Sequence, residues 1–306
     1  MHMRARRNAA EDRFAGRPAG HAAPGQDARL LHEAIKFAYG VSRSRPVGAG
    51  ESPTAWRSRA LEPSYAMVFI DSMPAKVRER GLLTNRRIHL ALGILADGSK
   101  DIIGFWIEPE RFDALWPSAI DELKRRGVQD ILLAVVEDCA SCADALRDGF
   151  PRVRVQAGIK NLVRSSLALV PTADRPIVEQ ALARLFGAEG REKVAREFDS
   201  ILADDVVRAH PQLGSYWRTH WSEASRLFDL PPALRDLVRT TSAVDSLIGK
   251  LRRRGIAKRA SFASDDAAVS ELILVLQDAG ATWKVSPNKW IAARPQLARL
   301  RHQLRQ

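Results

Sequence analysis

Two stretches of this chain are apolar without interruption, and each stops on an acid. Residues 65–71 read Tyr-Ala-Met-Val-Phe-Ile-Asp, and residues 131–138 read Ile-Leu-Leu-Ala-Val-Val-Glu-Asp. A run of this kind has no polar face to give to water. It fits a strand covered on both sides and excludes a sheet with one wet face. Covering both faces takes helices, which makes the fold α/β. A carboxylate at the end of a covered strand is costly unless it is paired or binds a metal. A third acid, Asp245, follows Thr-Thr-Ser-Ala-Val in a helix-like segment. Asp71, Asp138 and Asp245 are far apart in sequence. Their convergence on one divalent-metal site would give the chemistry of phosphodiester cleavage.

The rest of the chain supplies the matching elements. Residues 1–55 are rich in Ala, Gly, Arg and Pro and read as a flexible basic segment, broken by one short helical pattern over 28–38. Strands are expected over 65–72, 87–96 and 101–108, the second stopped by the turn signal Asp97-Gly98. A helix over 112–126 closes at Gly127, and a strand at 131–136, a helix at 140–150 and a strand at 153–156 follow. The order β-β-β-α-β-α-β is that of a ribonuclease-H-like mixed sheet with helices on its faces. Residues 56–160 form the first part of that core. Residues 161–238 read as an all-helical insertion, with helices over 176–186, 189–202 and 216–228 and a break at Pro231-Pro232. Residues 239–306 complete the core with the Asp245 helix, a helix over 267–279 and a basic amphipathic helix over 290–306 that docks on the core or contacts DNA.

Charge narrows the partner. The 306 residues hold 48 Lys and Arg against 36 Asp and Glu, a net charge of +12, which favours a polyanion such as nucleic acid. An Arg-rich genomic bias gives the same number without a nucleic-acid partner. The only cysteines are Cys139 and Cys142. No second pair exists to complete a zinc site, so they read as ordinary small residues at a helix start. No signal segment or membrane-length apolar run is present, which points to a cytoplasmic protein with no membrane partner.

If the strands at 65–72 and 131–136 are neighbours, Asp71 and Asp138 lie side by side. Two like charges at short range demand a cation between them. Mg²⁺ (or Mn²⁺) prefers carboxylate oxygens, and Asp245 would complete its ligands. Lys250, Arg252, Arg253 and Arg254 follow Asp245 directly and would hold a phosphate backbone, or else form a solvated helix end. Trp217 and Trp221 share one helix face. They would stack on an unpaired base or, the more ordinary role for large aromatics, pack the helical region. Trp106 reads as core, and His210 and His220 as structural.

These segments together resemble the Mutator-type transposases of bacterial insertion sequences, from about residue 56 to 290. The segments that carry the resemblance are 65–78, Ala-Leu-Gly-Ile-Leu-Ala-Asp-Gly at 91–98, Ile-Gly-Phe-Trp at 103–106, Leu-Lys-Arg-Arg-Gly at 123–127 and Val-Val-Glu-Asp at 135–138. Trp-Arg-Thr-His-Trp at 217–221, Phe-Asp-Leu-Pro-Pro-Ala-Leu-Arg at 228–235 and Thr-Thr-Ser-Ala-Val-Asp-Ser-Leu at 240–247 complete the set. The resemblance implies transposition through an Mg²⁺-dependent acidic triad, double-stranded DNA (element ends and target) as partner, a nucleoid location and self-association. By motif position Asp71 and Asp138 take the two aspartate places. The family's third acid is Glu, and here Asp245 stands in its place, one methylene shorter. The family also carries Cys-x2-His, replaced here by Gly158 and Asn161 while Gln156 and Arg164 remain; Arg164 is the residue of this stretch expected to touch DNA. A longer helical region usually precedes the core in the family. These departures motivate a second expectation, a catalytically inactive DNA-binding remnant or regulator.

Overall fold

The computed structural model of the chain describes residues 53–79, 82–108, 115–137, 139–239, 248–249, 251, 269–273, 276 and 287–304. The expected helix over 28–38 lies outside them.

Five strands form one mixed sheet: β1 (Ser64–Glu79), β2 (Leu82–Ile94), β3 (Lys100–Ile107), β4 (Asp130–Val136) and β5 (Arg154–Ala157). Their order is β3-β2-β1-β4-β5. β1, β2 and β3 pair antiparallel, and β1, β4 and β5 pair parallel, so β1 and β4 are central. The expected strand order in sequence is present, with β1 and β2 longer than their apolar runs.

Local chemistry sets the joints. At the β2–β3 turn the Asp97 carboxylate accepts from the Ser99 N–H at 2.8 Å and the Ser99 hydroxyl at 2.6 Å. Gly98 there has φ of 87°, a conformation that favours glycine. The helices whose bounds fall among the described residues are α1 (Pro53–Ser58), α2 (Leu115–Arg125), α3 (Ala140–Gly149), α4 (Lys160–Ala168), α5 (Arg175–Gly187), α6 (Arg191–Ala203), α7 (Asp205–Ala209), α8 (Pro211–Ala224), α9 (Pro232–Arg239) and α10 (Pro287–Gln303). α2 ends as its glycine predicts. Gly127 has φ of 108°, the Val128 N–H returns to the Leu123 carbonyl, and the Gly127 N–H returns to the Lys124 carbonyl.

The sheet is covered on both faces, as its apolar runs require. On one face Tyr65, Val68, Ile70, Ile131 and Val136 pack with Trp116, Ile120 and Leu123 of α2 and Cys142 and Leu146 of α3. On the other face Met67, Phe69, Leu133 and Val135 share a continuous apolar cluster with α4 to α10, including Leu182, Trp217, Leu234 and Leu297. The 3-10 turn Ser225–Asp229 extends α8 to the Pro231-Pro232 break. α10 docks on the core: Trp290, Ala293, Leu297 and Leu300 are buried, and Arg301 Nη2 donates to Ser64 Oγ at 2.7 Å. Among the described residues no helix is long and apolar enough to cross a membrane.

Candidate active site

One row of residues crosses β1 at Asp71 and passes the carboxyl ends of β4 and β5. Register pairs Ile70 of β1 with Val136 of β4, and Val136 with Ala157 of β5. The next residues along these strands are Asp71, Glu137 and Gly158. The ladder continues into that row: the Glu137 N–H donates to the Ile70 carbonyl at 3.0 Å and the Gly158 N–H to the Val136 carbonyl at 2.8 Å. Asp71 and Glu137 are therefore neighbours on one row, Asp71 midway along β1 and Glu137 just past the carboxyl end of β4. They are 6% and 5% exposed.

α4 brings its first turn onto both carboxylates. Lys160, its first residue, donates from Nζ to Asp71 Oδ2 at 2.7 Å. The other oxygen, Asp71 Oδ1, accepts the Ser72 N–H at 2.7 Å. The backbone N–H of Asn161 donates to Glu137 Oε2 at 3.3 Å, one of the donors that a helix start leaves open. A Cβ on Gly158 would overlap the Glu137 carboxylate, so this glycine makes room for that side chain. In the resemblance Gly158 and Asn161 stand where a Cys and a His are found. In this chain the same two positions accommodate an acid.

α4 is held from behind. The Trp217 indole N–H of α8 donates to Ser166 Oγ at 2.9 Å, and that hydroxyl donates to the Leu162 carbonyl at 2.7 Å. Trp217 is 1% exposed, and Trp221 stacks on Phe198 with ring centroids 3.8 Å apart. Both indoles occupy the packing role. Tyr216 and His220, whose rings are 4.2 Å apart, line a hollow together with Gly158 and Asn161. His220 Nδ1 donates to the Tyr216 carbonyl at 2.8 Å, and His210 Nε2 sits 2.9 Å from Asp174, so both histidines have structural partners. Trp106 is buried, with its indole N–H on Glu122. Arg164 is exposed on α4, one turn beyond Lys160.

A groove of about 190 Å³ opens beside this row between β4, β5, α3 and α8, lined in part by Cys139, Arg147, His220, Glu223 and Arg226. A smaller hollow of about 80 Å³, lined by Gly158, Asn161 and Tyr216, shares His220 and Glu223 with it. Cys139 and Cys142 are free thiols at the start of α3. Hydrogen bonding from Cys142, then from Ser141, outweighs partial burial and brings the Cys139 thiol down to about 6, while burial pushes Cys142 up.

Of the expected site residues, Asp71 stands beside the end of β4 but midway along β1, which runs on to Glu79 instead of stopping where the apolar run does. Asp138, Asp245, Lys250, Arg252, Arg253 and Arg254 lie outside the described residues. Among the described residues no three His, Cys, Asp or Glu side chains gather as a metal-ligand set. What is described is two carboxylates on one row, a donor chemistry that suits a hard cation. Sequence reasoning missed two members of this site, Glu137 and Lys160. Both apolar runs are six residues long, so the residues that follow them, Asp71 and Glu137, share a register row. A cation as the first residue of a helix opposes the helix dipole and was the available signal for Lys160.

The family model described as "Transposase, Mutator family" matches residues 48–286. The chain is 34% identical over 282 residues to the transposase for insertion sequence element ISRM3 of Rhizobium meliloti (strain 1021), covering 90% of this chain and 70% of that protein. It is 36% identical over 248 residues to a probable transposase for an ISRM3-like element of Sinorhizobium fredii, covering 81% of this chain and 62% of that protein. A probable insertion-element transposase of Corynebacterium diphtheriae is 29% identical over 226 residues, covering 74% of this chain and 66% of that protein. The chain thus spans about two thirds of the length of these relatives. With a family match across most of its residues, the chain belongs to the Mutator family of transposases.

Proposed function

We propose that this chain acts as the DNA transposase of an insertion element, through a metal-dependent carboxylate site on a ribonuclease-H-like sheet. The observation that carries the reading is the row that meets the end of β4: two buried carboxylates, side by side where β1 passes β4 in a β3-β2-β1-β4-β5 sheet. Family membership and a net charge of +12 agree with DNA as the substrate.

Asp71, with Asp138 and Asp245, would hold Mg²⁺ or Mn²⁺, and Glu137 lies next to that set. Such ions, when bound, activate an attacking water or 3′-hydroxyl and offset charge on the leaving oxygen. The chain's own residues do the positioning. β1 and β4 fix the carboxylates on rigid elements, and burial keeps bulk water from them. Arg147 and Arg226 line the adjoining groove, and Arg164, Lys250, Arg252, Arg253 and Arg254 add positive charge for the phosphate backbone. Element ends and target DNA would be the double-stranded partners, with two copies pairing the ends.

A second reading, a DNA-binding regulator without activity, is favoured by one observation: Asp71 already holds a cation, Lys160. Cleavage of plasmid DNA in Mg²⁺ or Mn²⁺ separates the two. Nicking that Asp71→Asn abolishes supports the enzyme. DNA binding without nicking, in both the natural chain and Asp245→Glu, supports the regulator.

A further inference from the structure

We infer that Lys160 is a built-in competitor for the divalent cation at Asp71, so that metal enters this site only when the ammonium leaves. The inference rests on the metal-site reading of Asp71. The contact is direct: Nζ sits 2.7 Å from Oδ2, the oxygen that the Ser72 N–H leaves available. The side chain of Asp71 is 7% exposed, so its charge needs a nearby counter-charge at all times. Lys160 supplies one from an unfavourable place. It is the first residue of α4, whose first turn has no acid to balance it, and a cation there opposes the positive end of the helix dipole. The attraction to Asp71 draws the ammonium inward against that dipole.

The same geometry makes the contact reversible. The side chain of Lys160 is 29% exposed, and a four-carbon stem with a strongly hydrated head can swing to water when another cation takes the carboxylate. The backbone of α4 need not move, because Ser166 and Trp217 fix it from the other side. A ligand that binds only the open form pays a factor equal to that form's population. With Lys160 swung out for roughly 1–10% of the time, metal binding weakens about 10- to 100-fold. The site then fills only at raised metal concentration, or when DNA phosphate offers the ammonium another partner.

The test is Mn²⁺ binding to the full chain without DNA, read from the electron paramagnetic resonance of free Mn²⁺. Lys160→Met and Lys160→Gln are expected to bind at least tenfold more tightly than the natural chain, and Lys160→Arg no more tightly. Equal or weaker binding in both neutral variants overturns the competitor role. So does failure of both to fold by circular dichroism, which would make Lys160 a structural counter-charge. Asp71→Asn separates the two layers. Weakened Mn²⁺ binding keeps the metal-site reading, whereas binding like that of the natural chain removes it, whatever Lys160 does.

Discussion

Glu137 and Gly158 form a matched pair, and their match is measurable. Gly158→Cys puts a side chain where the Glu137 carboxylate lies, an overpacking expected to cost about 1–3 kcal/mol. Adding Glu137→Ala should return part of that loss, with a coupling above about 0.5 kcal/mol in urea denaturation. Strict additivity would mean the two side chains do not meet. His89 offers a second residue-scale test. Burial, then the Arg87 charge, lowers it from 6.5 to about 4, while the Asp71 charge opposes them, and it packs edge-on against Trp116. Its folded value lies below its unfolded value, so the unfolded chain takes the proton first. Stability from this group is complete above about pH 6.5 and falls as pH drops towards 4. Between pH 7 and 5 the natural chain should lose about 2 kcal/mol more than His89→Phe, as read from urea midpoints. An equal loss in both would remove His89 as the cause.

At the scale of elements, the apolar runs and turn residues make most of the sheet legible in the sequence. Six consecutive apolar residues force two covered strands, and Asp97-Gly98 and Gly127 mark a hairpin and a helix end that are both present. The helices are legible from their spaced apolar residues, with α8 starting five residues before its expected onset at Tyr216. The site is half legible. Asp71 follows from an apolar run that stops on acid, although β1 itself runs on to Glu79, but Lys160 and Asn161 belong to the site only through the fold, because β5 must deliver the first turn of α4 onto the row. No spacing in the sequence states that. Close packing between strands gives a test at this scale. Gly93 of β2 lies against the buried Tyr65 ring, and a methyl there would overlap it. The Tyr65 hydroxyl is tied to Asp101 at 2.7 Å, and Arg59 Nη2 holds the same carboxylate at 2.6 Å, so the ring cannot step aside. Gly93→Ala should therefore lower stability by about 1–3 kcal/mol in thermal unfolding. A neutral change would show that the β1–β2 ladder yields easily.

Across the whole molecule, the helices from α4 to α10 and one face of the sheet share a single apolar cluster, so the end of the chain bears on its middle. Trp290 of α10 is the clearest link: its indole N–H donates to the Ala96 carbonyl at 3.2 Å and its ring covers Gly98 at the β2–β3 turn. Trp290→Ala should cost about 3–5 kcal/mol and raise hydrogen exchange in β2, β3 and α10 together. Faster exchange confined to α10 would mean the helix rests on the core without supporting it. This shared core is also what keeps α4 over the acid row, and so keeps Lys160 on Asp71. A crystal of the full chain grown with Mn²⁺ tests the metal site most directly. Anomalous density about 2.1–2.2 Å from an Asp71 oxygen, with the Lys160 ammonium turned away, is the expected result. Saturating Mn²⁺ with no density at Asp71 and Lys160 still in place would contradict it.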